Sequence, residues 1–147
     1  MAAADAPGPD ALRRLADEME IRNVVARLAH LADASGPDDL DEYLDLFTAD
    51  ASWEMPGNDR RGRADIQAGA RERRLAGQQG PGTGTRHVIT TQAVRFEGPD
   101  GAVSDSYFLL AADTATAPTI RIVGHYHDLF RRVDGSWKLA QRRITPG

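Results

Sequence analysis

The chain has 147 residues, with 18 lysines and arginines against 22 aspartates and glutamates, and its net charge is −4. It contains no cysteine, which excludes disulfides, thiolate metal sites and cysteine nucleophiles. A hydrophobic fraction of 41% and a charged fraction of 27% are typical of a soluble globular domain, and the acidic balance of residues 1–50 argues against a general nucleic-acid binder.

The N-terminal residues 1–9, rich in alanine, proline and glycine, predict a disordered tail. They lack the basic and apolar regions of a secretory signal, and no apolar run is long enough for a membrane helix, so we expect a cytoplasmic location. From Asp10 onwards the pattern becomes helical. The apolar residues that recur at intervals of three and four are Ile21, Val24, Val25, Leu28, Leu31 and Ala32.

The segment "SGPDD" predicts the end of this first helix and the start of a second. Gly36 suits a left-handed cap, and Pro37 suits the first position of the next helix. Asp38 and Asp39 would then lie in its first turn, where the helix dipole favours acidic side chains. Its short apolar face would consist of Leu40, Tyr43, Leu44 and Phe47.

Strands and a third helix are predicted next. "ADASWEM", residues 49–55, predicts a strand with Trp53 and Met55 on alternate sites, and a turn follows it. Residues 63–76 predict an arginine-rich helix whose interspersed acids indicate a solvated face. The loop 77–85, "GQQGPGTGT", precedes a strand rather than a helix, so it fits a lid over a pocket better than a phosphate-binding loop.

Four strands complete the chain, at 86–97, 102–112, 119–132 and 136–144. "VDGS" between the last two predicts a hairpin, because Asp-Gly suits a tight turn between strands. Helices followed by a meander of strands predict one α+β domain over 10–147, with helices on one face of a curved antiparallel sheet.

In "RHVITTQAVRF", strict alternation places His87 on one face with Ile89, Thr91 and Ala93. The opposite face would carry Val88, Val94 and Phe96. His87 is then either a structural histidine bound to a backbone carbonyl or a group that transfers a proton inside a cavity. By contrast, His30 falls on the polar face of the first helix, where a solvated side chain is expected.

Three segments together resemble the SnoaL-like branch of the nuclear transport factor 2-like superfamily. The segments are "LADASGPDDLDEYLDLFTADASW", "RHVITTQ" and "GHYHDLFRRVDGSWKLAQRR". The resemblance implies a cone in which a strongly bent sheet wraps around three helices and encloses a deep apolar pocket. It also implies a homodimer that needs no cofactor. Members include polyketide cyclases, scytalone dehydratase and ketosteroid isomerase, so the fold does not define one activity.

The resemblance implies a catalytic dyad formed by Asp33 and His87, at the end of the first helix and the start of the middle strand. Asp33 would hold one ring nitrogen of His87, and the other nitrogen would act as a base in the pocket. Where the family often has tyrosine and asparagine, this chain has Leu28 and Thr91. Without the resemblance, Asp33 is also consistent with a solvated or capping acid.

Further residues are expected to bind the substrate. Tyr126 or His125 would line the pocket, although alternation places them on opposite faces of their strand. Arg142 would stabilise a developing oxyanion, or it would form a surface ion pair, as is also expected for Arg143. The other expected wall residues, for which core packing is the alternative, are Trp53, Met55 and Tyr107.

His125 and His127 share a strand face and could bind zinc together with a carboxylate. Asp128 lies on the other face, so no metal site is expected.

The resemblance, with the dyad that it implies, leads us to expect a cofactor-independent lyase or isomerase, acting as a dehydratase, cyclase or double-bond isomerase. Its substrate would be a small hydrophobic carbonyl or hydroxylated metabolite. The alternative is a non-catalytic binding or dimeric interaction module with the same fold, which the missing family tyrosine and asparagine favour. The enzyme hypothesis predicts that Asp33 and His87 are in contact beside a cavity, whereas the binding-module hypothesis predicts that they are apart.

Overall fold

The structure is a computed structural model that describes residues 6–147. Residues 1–5 of the predicted tail lie outside the described residues, and Pro9 already belongs to the first helix. The helices are α1 (Pro9–Ala34), α2 (Asp41–Asp45) and α3 (Arg63–Leu75). The strands are β1 (Phe47–Glu54), β2 (Arg60–Arg61), β3 (Arg86–Phe96), β4 (Gly101–Ala112), β5 (Thr119–Val133) and β6 (Ser136–Pro146). Of the helices in the described ranges, none has the length and apolar composition that crossing a membrane requires.

Helix α1 begins at Pro9, whose fixed φ angle suits the first turn of a helix. Its buried face is the apolar stripe predicted from the sequence: Ile21, Val24, Val25, Leu28, Leu31 and Ala32. This stripe packs the helix against β3 and β6. Burial of the apolar surface therefore sets the rotation of α1, and with it the direction of the side chains in its last turn.

The connection after α1 differs from the prediction. Ser35 ends the helix in extended backbone, so Gly36 is not a left-handed cap. Carbonyls at the end of α1 accept hydrogen bonds from Arg74 of α3 instead, which removes the need for a glycine cap. The short α2 begins only at Asp41, so three residues assigned to its first turn precede it: Pro37, Asp38 and Asp39.

The strands form one sheet in the order β2-β1-β6-β5-β4-β3. Strands β3 to β6 make the predicted antiparallel meander. Asp134 and Gly135 both have positive φ angles, 49° and 81°, as a tight hairpin turn of type I′ requires. Strand β1 pairs in parallel with β6, so the sheet is mixed rather than wholly antiparallel. No hairpin joins β1 to β6, and a local turn therefore does not dictate their relative direction.

A bulge in β3 changes which side chains face the helices. Thr91 has a φ angle of 52°, and the register with β4 shifts beside it. Before the bulge, His87 and Ile89 are partly buried on the inner side, as alternation predicts. Beyond it, Thr91 and Ala93 are exposed, so the prediction that they share the face of His87 is wrong. The partly buried residues after the bulge are Gln92, Val94 and Phe96.

Gly124 of β5 lies against the ring of Phe108 of β4. A Cβ atom at position 124 would be 2.4 Å from Cε1 of Phe108. That ring is itself stacked on Tyr126, with 4.2 Å between the ring centroids, so a shift of the ring would disturb this contact. We expect Gly124→Ala to lower the free energy of unfolding by about 1–3 kcal/mol, measured by urea denaturation.

The control for this variant is Gly36→Ala. A Cβ atom there would meet nothing within 4 Å, and the φ angle of Gly36 is not in the left-handed region. Its free energy of unfolding should stay within about 0.5 kcal/mol of the wild type. Equal stability of the two variants would contradict the packing argument.

Candidate active site

A cavity of about 390 Å³ lies between the helices and the inner face of the sheet. Small-molecule sites typically have volumes of about 300–1,000 Å³, so a ligand of modest size fits. The larger part of its wall is apolar and includes Leu28, Trp53, Met55, Ile89, Phe108 and Leu110. Gln78 and Gln79 also reach it from the loop 77–85, whose role as a lid stays a prediction.

Asp33 and His87 meet at the edge of this cavity. The Nδ1 atom of His87 lies 2.7 Å from Oδ1 of Asp33. The backbone N–H of His87 donates to the same carboxylate, at 3.2 Å to Oδ1 and 3.0 Å to Oδ2. Each side chain is only 11% exposed. The last turn of α1 and the start of β3 are therefore joined through one carboxylate.

This contact defines what the imidazole of His87 can do. When neutral, the ring donates Nδ1–H to Asp33, which leaves the lone pair on Nε2. Nε2 has no hydrogen-bond partner among residues 6–147, and the His87 side chain forms part of the cavity wall. The arrangement can therefore accept a proton at Nε2 and share the resulting charge with the carboxylate.

Arg142 reaches the cavity from β6 and is paired with a buried acid. Its Nε and Nη2 atoms donate to Oδ1 and Oδ2 of Asp128 at 2.8 and 2.7 Å. Arg142 is 6% exposed and Asp128 is 0% exposed. Burial disfavours the charge of Arg142, but the pairing with Asp128 outweighs it and raises the pKa of the guanidinium. The pair thus adds hydrogen-bond donors to the site without adding net charge.

Tyr126 lies beneath Arg142, with the guanidinium carbon 3.9 Å from the ring centroid. Burial raises the pKa of Tyr126 well above its ordinary value. Its hydroxyl is therefore protonated at neutral pH, and it can donate a hydrogen bond to an oxygen in the cavity.

The structure brings four of the six residues predicted to bind substrate to the cavity wall: Trp53, Met55, Tyr126 and Arg142. Tyr107 and His125 do not reach it and need correction. Tyr107 is 55% exposed on the outer face of the sheet, next to His125. The cause is the register of β4 and β5, in which Phe108 and Tyr126 take the inward positions.

On the outer face, His125 and His127 share a carboxylate from the neighbouring strand. Nε2 of His125 and Nδ1 of His127 lie 3.1 and 2.7 Å from Oδ1 of Asp105. The hydrogen bond from His127 is the main cause that lowers the pKa of Asp105. Within residues 6–147, no group of three or more histidines and acids has an arrangement that could hold a metal ion.

The sequence analysis missed two arginines of α3, because it assigned the arginines of this helix to a solvated face. Arg74 is only 7% exposed, and Arg73 forms part of the cavity wall. They follow the buried Ile66 by seven and eight residues and Ala70 by three and four. Residues at these intervals lie on one face of a helix. Helical spacing could therefore have placed both arginines on the buried face, although the interspersed acids indicated a solvated helix.

Arg74 holds the end of α1 that carries Asp33. Its Nε donates to the carbonyl of Ser35 at 2.6 Å. Its Nη2 donates to the carbonyls of Leu31 and Ala32 at 3.2 and 3.3 Å. The last carbonyls of a helix lack hydrogen-bond partners within it, and a cation placed there also interacts favourably with the negative end of the helix dipole. Arg74 thereby positions the turn from which Asp33 reaches His87.

Comparison with known proteins identifies a sequence family that matches this chain and solved structures that share its fold. The profile of the SnoaL-like domain family matches residues 13–143, and no curated protein sequence matches the chain. An NTF2-like protein with a cystatin-like fold from Novosphingobium aromaticivorans has a TM-score of 0.75 and 25% identity, over 90% of this chain and 83% of that one.

Two further solved structures share the fold. A protein from Novosphingobium aromaticivorans described as a candidate scytalone dehydratase has a TM-score of 0.70 and 20% identity, over 91% of this chain and 86% of that one. ActVI-ORFA from Streptomyces coelicolor has a TM-score of 0.73 and 22% identity, over 88% of this chain and 96% of that one. The predicted superfamily and the cone-shaped α+β fold are therefore confirmed.

Proposed function

This chain belongs to the SnoaL-like domain family, and we propose that it is a cofactor-independent lyase or isomerase. Its substrate would be a small hydrophobic carbonyl or hydroxylated compound. The observation that supports the proposal is the 2.7 Å contact between Asp33 and His87 at the wall of an apolar cavity. A base that is held by a carboxylate beside an enclosed space is well suited to remove a proton from carbon.

In the proposed reaction, Nε2 of His87 takes a proton from the carbon next to a carbonyl. The C–H electron pair moves toward the carbonyl, and negative charge develops on its oxygen. Asp33 stabilises the imidazolium that forms, and the Tyr126 hydroxyl or Arg142 donates to the oxyanion. Return of the proton to another carbon completes an isomerisation, and its transfer to a departing hydroxyl completes a dehydration. Attack of the enolate carbon on a second carbonyl of the same molecule forms a C–C bond and an alkoxide, and return of the proton from the His87 imidazolium to that alkoxide completes a cyclisation.

A binding module with the same fold is the second candidate, and two positions favour it. Leu28, where the family often has tyrosine, contributes only apolar surface to the cavity. Thr91, where it often has asparagine, lies exposed at the bulge of β3 and cannot reach the cavity. The family's two additional polar groups are therefore both missing from this site.

The two candidates can be separated before the substrate is known. The probe is 2-tetralone, an apolar ketone, and the observable is exchange of its α protons in D₂O, followed by proton NMR. If the protein is an enzyme of the proposed class, exchange is faster with the protein than in buffer alone. Binding of the ketone, seen as line broadening, without faster exchange would contradict catalysis and support the binding module.

A further inference from the structure

We propose that Arg73 binds a carboxylate of the ligand, so that the cavity selects hydrophobic molecules that carry a negative charge. The inference deepens the proposed function, on which it rests because it takes the cavity to be the ligand site. It concerns the substrate class and adds a specificity residue that the proton-transfer mechanism does not use.

The first observation is that the guanidinium of Arg73 is not satisfied by the protein. Its Nη1 atom is buried and has no hydrogen-bond partner among residues 6–147. The adjacent acid, Glu72, does not pair with Arg73, because its Oε2 atom accepts a hydrogen bond from Nη2 of Arg60 at 2.6 Å. The face of the guanidinium lies over the ring of Trp53, 4.4 Å from the centroid, which leaves its edge to form hydrogen bonds.

A buried cationic donor without an acceptor carries a desolvation cost. Burial accordingly lowers the pKa of Arg73 from its ordinary value, although arginine stays protonated in proteins. An anionic ligand would offset this cost, since it supplies both the opposite charge and the missing acceptors. A carboxylate suits a guanidinium edge particularly well, because two parallel hydrogen bonds can form.

The second observation is the charge balance of the cavity wall. The charge of Arg142 is neutralised by Asp128, and the carboxylate of Asp33 is shared with His87. Arg121 also borders the cavity but is exposed, where water and salt weaken its attraction. Arg73 is therefore a partly buried cation of the cavity wall, and its buried Nη1 atom lacks a partner among the described residues.

Together these observations define a ligand with two parts. An apolar body would pack on the apolar wall, and a carboxylate would bind Arg73. The proposal therefore predicts that an anionic ligand binds more tightly than its uncharged analogue, and equilibrium binding measures this preference without turnover.

The experiment compares 2-naphthoate with its uncharged and nearly isosteric amide, 2-naphthamide, by calorimetry at neutral pH. The wild type is expected to bind the carboxylate about tenfold more tightly or better. Arg73→Met keeps the apolar stem and should abolish the preference while retaining naphthamide binding. Arg73→Gln, which removes the charge but keeps a donor, is the second variant and should also lose the preference.

The matched control is Arg71→Met, in the same helix. Arg71 is exposed and binds Asp38 at 3.0 Å, so this variant removes the same charge away from the cavity. Its preference should equal that of the wild type. Equal affinity of the wild type for both probes would overturn the proposal, as would a preference that survives in Arg73→Met and Arg73→Gln. If Arg71→Met lost the preference for the carboxylate to the same extent, the net charge of the protein rather than Arg73 would cause the preference, and the proposal would also be overturned. Proton exchange is measured separately, so failure of the lyase or isomerase proposal is distinguishable.

Discussion

His87→Ala is expected to slow α-proton exchange of a bound ketone by about 10²–10⁴-fold relative to the wild type, the contribution typical of a positioned base. The reason is that Nε2 of His87 borders the cavity while Nδ1 is held by Asp33 at 2.7 Å. Binding of the ketone should change little, because the imidazole forms only a small part of a mainly apolar wall. Exchange rates and affinities would both be measured by proton NMR.

The chain contains its own matched control for this variant. His127 is bound through Nδ1 to Oδ1 of Asp105 at 2.7 Å, the same atoms and distance as in the cavity pair. This pair lies on the outer face of the sheet, so His127→Ala should leave the exchange rate unchanged. An exchange rate in His87→Ala close to that of the wild type would contradict the assignment. A similar loss in both variants would show a structural effect instead.

The comparison also shows why a histidine–carboxylate contact is insufficient to identify a site. Both pairs have the same short distance, yet only His87 borders an enclosed apolar space. The physical difference is the environment, since the attraction between an imidazolium and a carboxylate is stronger where water is excluded. The enzymatic proposal therefore depends on the cavity as much as on the dyad.

Much of the fold could be predicted because its signals are local. The apolar stripe of α1, which includes Ile21 and Leu28, follows from the three- and four-residue spacing of apolar side chains, and it is buried as predicted. The Asp134-Gly135 hairpin follows from turn chemistry. The direction of β1 beside β6 could not be predicted, because the two strands are far apart in sequence and no turn joins them.

The site was harder to predict, because its residues meet through long-range contacts. Asp33 and His87 are 54 residues apart, and the resemblance rather than the spacing predicted that they meet. Tyr107 and His125 were placed wrongly because alternation separates two faces of a strand without identifying the inner one. Arg73 was missed because interspersed acids indicated a solvated helix, whereas tertiary packing turned this arginine inward.

The second large effect is expected at Asp128, for stability. Asp128→Ala should lower the free energy of unfolding by about 3–5 kcal/mol, because it leaves the guanidinium of Arg142 buried and unpaired. The acid is 0% exposed and makes two hydrogen bonds to that guanidinium, at 2.8 and 2.7 Å. Urea denaturation followed by circular dichroism would measure the change.

A surface pair gives the control for Asp128→Ala. Glu97 binds Arg95 at 2.9 Å, but the two side chains are 55% and 68% exposed. Exposed ion pairs contribute little, so Glu97→Ala should cost less than about 1 kcal/mol. If Asp128→Ala and Glu97→Ala were equally stable, burial would not govern the strength of the inner pair, and the argument would fail.

Removal of both charges separates the unpaired cation from the lost packing. In the double variant Asp128→Leu with Arg142→Met, no uncompensated charge remains, and apolar side chains occupy the space. Such replacements are often close to neutral for stability, so the double variant should recover most of what Asp128→Ala loses. Equal instability of the two would show that contacts around the Tyr126 ring, rather than the unpaired guanidinium, determine the cost. A stable double variant would in addition retain His87 and the cavity, and a slower exchange rate in it would then measure what Arg142 contributes to the oxyanion.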